Sequence, residues 1–290
     1  MMQSDELASL LVAEPDAKFV VPDIAFVEMS KHPNWEYTMG LALPPLASAS
    51  GRIFMSLSVG EAMGTELEML QPITTDQLLP EDYCKLLRGL VLEFHEERVG
   101  EARTKIAERF DKTRTELLEE EPNPDLAKAQ TKGLVDIWRE ALKPEVLKEL
   151  RRSGAGPDLF LAMAQVNAEI FFTRLLQQQG VAASAIDVFK KSKPCVLRYL
   201  YLITRHSLLS TLKGMGWEAL AASKELNNRL DQEYALTASF FDGLLSLDKA
   251  ANAAHADLMH MLGTSMDDAV STLRSILDPS TPPPAAAPAA

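Results

Sequence analysis

The feature that most constrains this fold is the uneven distribution of strand patterns along the chain. From residue 75 to about residue 220 the apolar spacing is helical almost throughout. Short strand patterns occur only outside that region, at residues 18–22, 53–58 and 243–247. Helical patterns separate the first two strands, which is typical of βαβ units and a parallel sheet. The sequence therefore predicts an α/β fold with a central parallel sheet, flanked by helices and interrupted by a large all-helical insertion.

This pattern divides the chain into four parts. Residues 1–74 and 221–277 are predicted to form the two halves of one α/β domain, and residues 75–220 its helical insertion. The tail, residues 278–290, consists mainly of Pro and Ala, cannot bury a core and is expected to be disordered.

Composition limits the environment and the partners of the chain. The 290 residues are 47% hydrophobic, which supports a substantial core, and the net charge of -12 argues against unspecific adhesion to nucleic acid. Cys84 and Cys195 lie far apart without the spacing of a zinc site, which fits a reducing compartment. We find no leader and no run of eighteen apolar residues, and therefore expect a cytoplasmic protein that does not enter a membrane.

Residues 223–249 contain the clearest candidate for chemistry. Asp231 and Tyr234 share one face of a predicted helix, Gly243 ends the helical pattern, and a short apolar strand leads to Asp248. A strand that returns along the helix brings Asp231 and Asp248 to the same end. Converging carboxylates repel one another unless a cation such as Mg²⁺ or Mn²⁺ lies between them. Asp242 is a less favoured ligand, and the alternative is that these are ordinary surface aspartates.

Glu28 lies one helical turn beyond the first predicted strand. The strand KFVV ends at Pro22, and the next helix places Ile24, Val27 and Glu28 on one face. The carboxyl edge of a parallel sheet is where ligands bind in open α/β folds. A glutamate on a buried face needs a function, a cation or an arginine; otherwise Glu28 is an exposed helix residue.

A basic segment precedes the acidic residues. Residues 188–213 carry six Lys or Arg side chains and no Asp or Glu. Such a segment next to carboxylates suits a phosphodiester substrate, and Arg198 and Arg205 are the candidate phosphate contacts. An ordinary solvated face explains the charge equally well.

Three pieces together resemble the PIN-like nuclease superfamily: FVVPDIAFVEMSK, NNRLDQEY and FDGLLSLDK. The resemblance covers roughly residues 1–70 and 221–262. It implies a three-layer PIN-like domain and a Mg²⁺ or Mn²⁺-dependent endoribonuclease, with Glu28, Asp231 and Asp248 as catalytic and metal-binding residues. RNA is then the substrate, and an inhibitory or adaptor protein is a possible partner.

The chain departs from the family pattern at its start. Such proteins begin with a strand that ends in Asp-x-Asn, whereas this sequence opens inside the following helix, where Asp5 lies on the wrong element. We expect the native protein to begin further upstream. If it does not, the alternative is a catalytically inactive PIN-like domain that acts as a protein-interaction module through its helical insertion.

Overall fold

A computed structural model describes residues 5–30, 34–108, 124–151 and 156–277. The tail that is expected to be disordered lies outside the described residues. Helices account for 77% and strands for 3% of the structure. The fold is therefore mostly helical.

The first part of the chain mixes short helices with two strands. It contains α1 (Asp5–Ala13), β1 (Phe19–Val21), α2 (Asp23–Ser30), α3 (Trp35–Ala42), a 3₁₀ helix (Pro44–Arg52), β2 (Ile53–Met55), α4 (Val59–Met69), α5 (Thr75–Leu78), α6 (Glu81–His95) and the helical residues 101–108, which we call α7.

The second part is described as helices and connections only. It contains α8 (Pro124–Ala141), α9 (Pro144–Arg151), α10 (Gly156–Gln178), α11 (Ala183–Lys191), α12 (Cys195–Lys213), α13 (Met215–Glu218), α14 (Ala222–Ala238), α15 (Lys249–Gly263) and α16 (Met266–Leu277).

The described residues form one sheet, of two strands. β1 and β2 pair in parallel, with Phe19 opposite Ile53 and Val21 opposite Met55. The prediction of a three-layer PIN-like α/β domain with a central sheet is therefore wrong. Residues 243–247, predicted as its third strand, form no strand. An extended segment becomes a strand only where a neighbouring backbone edge completes its hydrogen bonds, and no described strand lies beside this one.

Arg52 fixes α1 against the start of β2. Its guanidinium donates to the carbonyl oxygens of Leu11, Glu14 and Ala17 at 2.7–2.9 Å. These carbonyls lie at and just beyond the end of α1, where helical partners are missing. The arginine therefore holds the connection that leads into β1.

Two apolar cores organise the molecule. The N-terminal core surrounds Met39, Ile53, Leu87 and Leu90 and involves α1, α3, β2 and α6. The C-terminal core, on α4, α10, α12, α14 and α15, includes Phe172, Leu197, Tyr201, Leu236 and Leu258.

A buried carboxylate joins α4 to α12. Glu66 is fully buried and accepts hydrogen bonds from the backbone N–H groups of Ile73, Cys195 and Val196 at 2.8–3.0 Å. The last two lie in the first turn of α12, whose N–H groups have no helical partner and carry partial positive charge. This contact fixes α12 at the centre of the C-terminal core.

By length and composition alone, the stretch Asp158–Gln178 of α10 could cross a membrane. Its most apolar window is 56% buried inside the protein, as in the core helix of a soluble protein, so this is weak evidence.

Candidate functional site: an acidic groove

A large groove lies where the two cores meet. Its volume is about 1390 Å³, and its lining includes β1, the ends of α1 and α2, the end of α14 and residues 240–248. Eight carboxylates and one lysine line it: Glu14, Asp16, Glu28, Asp76, Glu81, Asp231, Asp242, Asp248 and Lys18. The groove is therefore strongly acidic.

Glu28, Asp231 and Asp248 reach this groove from three different elements. Glu28 is on α2, Asp231 on α14, and Asp248 immediately before α15. Burial raises the pKa of Asp231 to about 6, and the negative charges of Asp248 and Glu28 add to this effect. Lys224 opposes the increase. The structure thus brings the three candidate residues into electrostatic contact, with Asp231 in the middle.

Tyr234 lies beside this group and was not singled out from the sequence as a site residue. Its hydroxyl donates to Oε2 of Glu28 at 2.5 Å, and burial together with the charge of Glu28 raises the pKa of the phenol. The sequence signal that identifies it is its position, because Tyr234 follows Asp231 by three residues and shares its helix face. The phenol holds the Glu28 carboxylate in one orientation.

Asp248 has a second role, as the N-cap of α15. Its Oδ1 accepts from the N–H groups of Ala250 at 2.6 Å and Ala251 at 3.1 Å. Because the carboxylate is exposed on its other side, it remains open to the groove. Asp242 is also exposed and lines the same groove, but it does not contribute to the pKa of Asp231.

The two predicted phosphate contacts are engaged elsewhere. Both Nε and Nη2 of Arg205 contact Oδ2 of Asp257, at 2.6 and 2.5 Å. Arg198 donates to the backbone oxygens of Lys193 and Ser239 and lies 3.9 Å over the ring of Phe240. Neither arginine lines the groove. Both side chains serve to hold helices and the end of α14 together.

The ligand atoms of the site suit a hard divalent cation, but their present spacing does not. Carboxylate oxygens are the preferred ligands of Mg²⁺ and Mn²⁺, and the groove has an excess of them. Across the described ranges, however, no three metal-type side chains stand close enough together to hold an ion. Coordination by all three residues therefore requires their carboxylates to move closer together.

Comparisons with protein-family models, with curated proteins and with solved structures gave no match to this chain. Function is therefore argued from the groove alone.

Proposed function

We propose that the chain is a divalent-cation-dependent hydrolase of phosphodiester bonds, with RNA as its substrate and Glu28, Asp231 and Asp248 as its catalytic residues. The observation that supports this most is that Glu28, Asp231 and Asp248, from separate elements, line one groove in which carboxylates far outnumber bases. Like charges at short range raise the free energy of the folded state unless a proton or cation offsets them.

The carboxylates and the tyrosine of the site have separate roles in this reaction. Glu28, Asp231 and Asp248 would hold the cation, and Asp231, whose pKa is raised to about 6, would give up its proton when the cation binds. Tyr234 orients Glu28 before the cation arrives. A bound Mg²⁺ or Mn²⁺ would supply a Lewis acid and lower the pKa of its water. The volume of the groove, about 1390 Å³, suits a polymer, and a bound cation would reduce the repulsion of a phosphate backbone from the acidic lining.

The first test is binding. Mn²⁺ added to the wild-type chain should raise its thermal midpoint, because a ligand of the folded state alone stabilises that state. In Asp231→Asn the apparent affinity for Mn²⁺, measured from this increase, should fall at least about tenfold. Asp242→Asn removes an exposed carboxylate of the same groove and should leave the Mn²⁺ response unchanged. A wild-type midpoint that ignores Mn²⁺ argues against the proposal.

The second test is cleavage of labelled RNA. Wild-type chain with Mn²⁺ or Mg²⁺ should cut, and EDTA should stop the reaction. Asp248→Asn is the sharpest variant, because asparagine can still cap α15 while the charge is lost. We expect it to fold normally and to cleave at least about tenfold more slowly.

A second function, protein interaction through the helical region, is supported by one observation. Leu126 and Ile137 of α8 are 56% and 61% exposed, and their separation of eleven residues places them on one helix face. If neither metal binding nor cleavage is found, this function becomes the better explanation of the long helical region.

A further inference from the structure

One edge of β1 is open. In the parallel ladder the carbonyl of Val21 accepts from the N–H of Ser56 at 3.2 Å, so the peptide groups of Val21 point toward β2. Neighbouring residues of a strand point their peptide groups to opposite sides, and those of Val20 therefore point away from β2. Val20 lines the acidic groove, and no described strand pairs with it there. A hydrogen-bonding edge is thus presented to the groove.

A second part of the groove lining has open backbone N–H groups, although the carbonyl of Ser246 accepts from Nδ2 of Asn252 at 2.7 Å. In the part of the chain that the structure describes, the N–H groups of residues 243–247 make no backbone hydrogen bond. Leu245 and Leu247 in this segment are 51% and 74% exposed, although both line the groove. An apolar segment whose N–H groups have no backbone partner can accept a neighbouring strand.

The size of the groove favours an extended occupant over a small ligand. Its volume of about 1390 Å³ exceeds the roughly 300–1,000 Å³ of typical small-molecule pockets. A five-residue strand extends about 17 Å and presents donors and acceptors to both sides. Such a segment uses both open backbones, which a compact ligand does not.

We propose that this groove binds an extended segment of a partner protein, which adds as a strand between β1 and residues 243–247. The centre of the segment is apolar, because Leu7, Met29, Leu43 and Phe240 line the walls. Its flanks are basic, since one lysine faces eight carboxylates in the groove. Main-chain hydrogen bonds give the affinity, and the side-chain pockets and charges give the selectivity. This proposal does not rest on the proposed hydrolase activity.

The probe is a synthetic peptide, acetyl-Lys-Thr-Val-Ile-Val-Thr-Lys-amide, added to the full chain in EDTA. We expect the peptide to raise the thermal midpoint with increasing concentration and to slow hydrogen exchange at residues 243–247. EDTA removes metal binding from the measurement, so failure of the hydrolase proposal does not affect the result. A second peptide, with every other amide nitrogen methylated, loses the donors of one strand edge and should bind at least about tenfold more weakly.

A variant pair tests the edge of β1 directly. Val20→Pro removes the N–H that points into the groove and leaves the ladder to β2 intact, as proline is tolerated on an edge strand. Val20→Ala is its matched control, because it shortens the side chain and keeps the N–H. Peptide affinity should fall at least about tenfold in Val20→Pro relative to Val20→Ala.

Four outcomes would overturn the proposal. The first is a wild-type midpoint that does not respond to the peptide. The second is equal affinity of the wild-type chain for the methylated and unmethylated peptides. This test does not depend on whether Val20→Pro folds. The third is equal affinity for a peptide with glutamate at both ends. The fourth is a dimer in sedimentation that excludes the peptide, because a second copy of the chain would then occupy the groove.

Discussion

Asp231 is the residue at which the electrostatic effects in the groove converge. It is half-buried, the charges of Asp248 and Glu28 raise its pKa further, and the charge of Lys224 opposes them. The folded chain therefore tolerates an unfavourable charge at this position. Such groups are typical of sites that bind something of opposite charge.

Replacing this charge should stabilise the protein in a manner that depends on pH. The pKa of Asp231 is about 6 in the folded chain and about 3.9 in the unfolded chain. Between these values the folded state holds more protons, so wild-type stability falls as the pH rises. At pH 7.5 without metal, Asp231→Asn should be more stable than wild type by about 1 kcal/mol, once solvent screening of a half-exposed group is considered.

Urea unfolding at several pH values measures this difference. The two curves should coincide near pH 4 and separate by pH 7.5. Asp242→Asn provides the exposed control, with an expected change of less than about 0.5 kcal/mol at either pH. A variant that is equally stable at both pH values would contradict the assigned environment of Asp231.

At this scale the sequence was a good guide to position and a poor one to partners. The helix period placed Asp231 and Tyr234 on one face, and Asp248 lines the same groove, although the returning strand that was expected to bring it there does not form. Periodicity does not show which partner a long side chain selects. Arg198 and Arg205 looked free for substrate, but a buried guanidinium must satisfy several donors, and each found nearby oxygens within the protein.

Four helices are tied together by one buried carboxylate outside the groove. Glu225 of α14 is fully buried and contacts Thr131 of α8 at 2.7 Å, His206 of α12 at 2.6 Å and Trp217 of α13 at 3.1 Å. Burial alone raises the pKa of Glu225, but the contacts with His206, Thr131 and Trp217 outweigh it, and the pKa is lowered. The ionised form is therefore the one that the folded state favours.

Loss of this charge should loosen the helical packing. Glu225→Gln is expected to lower the free energy of unfolding by about 2 kcal/mol at pH 7, because a charged hydrogen-bonding partner is removed from a buried network. A lowered pKa stabilises the fold above the unfolded value of about 4.3, and that contribution is lost as the pH falls. The gap between wild type and variant should therefore narrow toward pH 3.

The matched control for this element is Glu218→Gln. Glu218 pairs with Arg139 at 2.6 Å, but both side chains are well exposed, at 49% and 34%. Exposed pairs contribute about 0–1 kcal/mol, so this change should have little effect. Equal losses in the two variants, by chemical denaturation at pH 7, would show that the buried network has no special role.

Element by element, the sequence predicted local structure well and pairing less well. The strands at residues 18–22 and 53–58 exist as the shorter β1 and β2, and their parallel pairing was expected. The helix that carries Asp231 ends at Ala238, five residues before Gly243, where the sequence had placed its end. The third predicted strand does not form. Its apolar run favours an extended chain, but a strand also needs a neighbouring strand to pair with, and that depends on the whole sheet.

As a whole molecule, the chain joins two cores of unequal strength. The C-terminal core is built on long helices, of which α10 spans 23 residues and α12 spans 19. The N-terminal core depends on short helices and a sheet of two strands. Two strands alone are marginally stable, so this core depends more on its surroundings.

Hydrogen exchange should rank these parts. Amides around Leu197 and Leu202 in α12 are expected to exchange only through global unfolding, whereas those of β1 should open earlier as urea is added below the main transition. Residues 243–247 should exchange without urea, because their N–H groups make no backbone bond in the described structure. Mass spectrometry of exchanged peptides gives this order. Simultaneous opening of α12 and β1 would show a single cooperative unit.

The double role of Asp248, as helix cap and as groove carboxylate, makes position 248 informative under selection. In a library of all twenty amino acids, a screen for folded protein should accept aspartate, asparagine, serine and threonine, since each can cap α15. A screen for activity or ligand capture that uses the negative charge should retain aspartate alone. The residues accepted in the first screen show what the helix requires at position 248. Those retained in the second screen show what the function requires there.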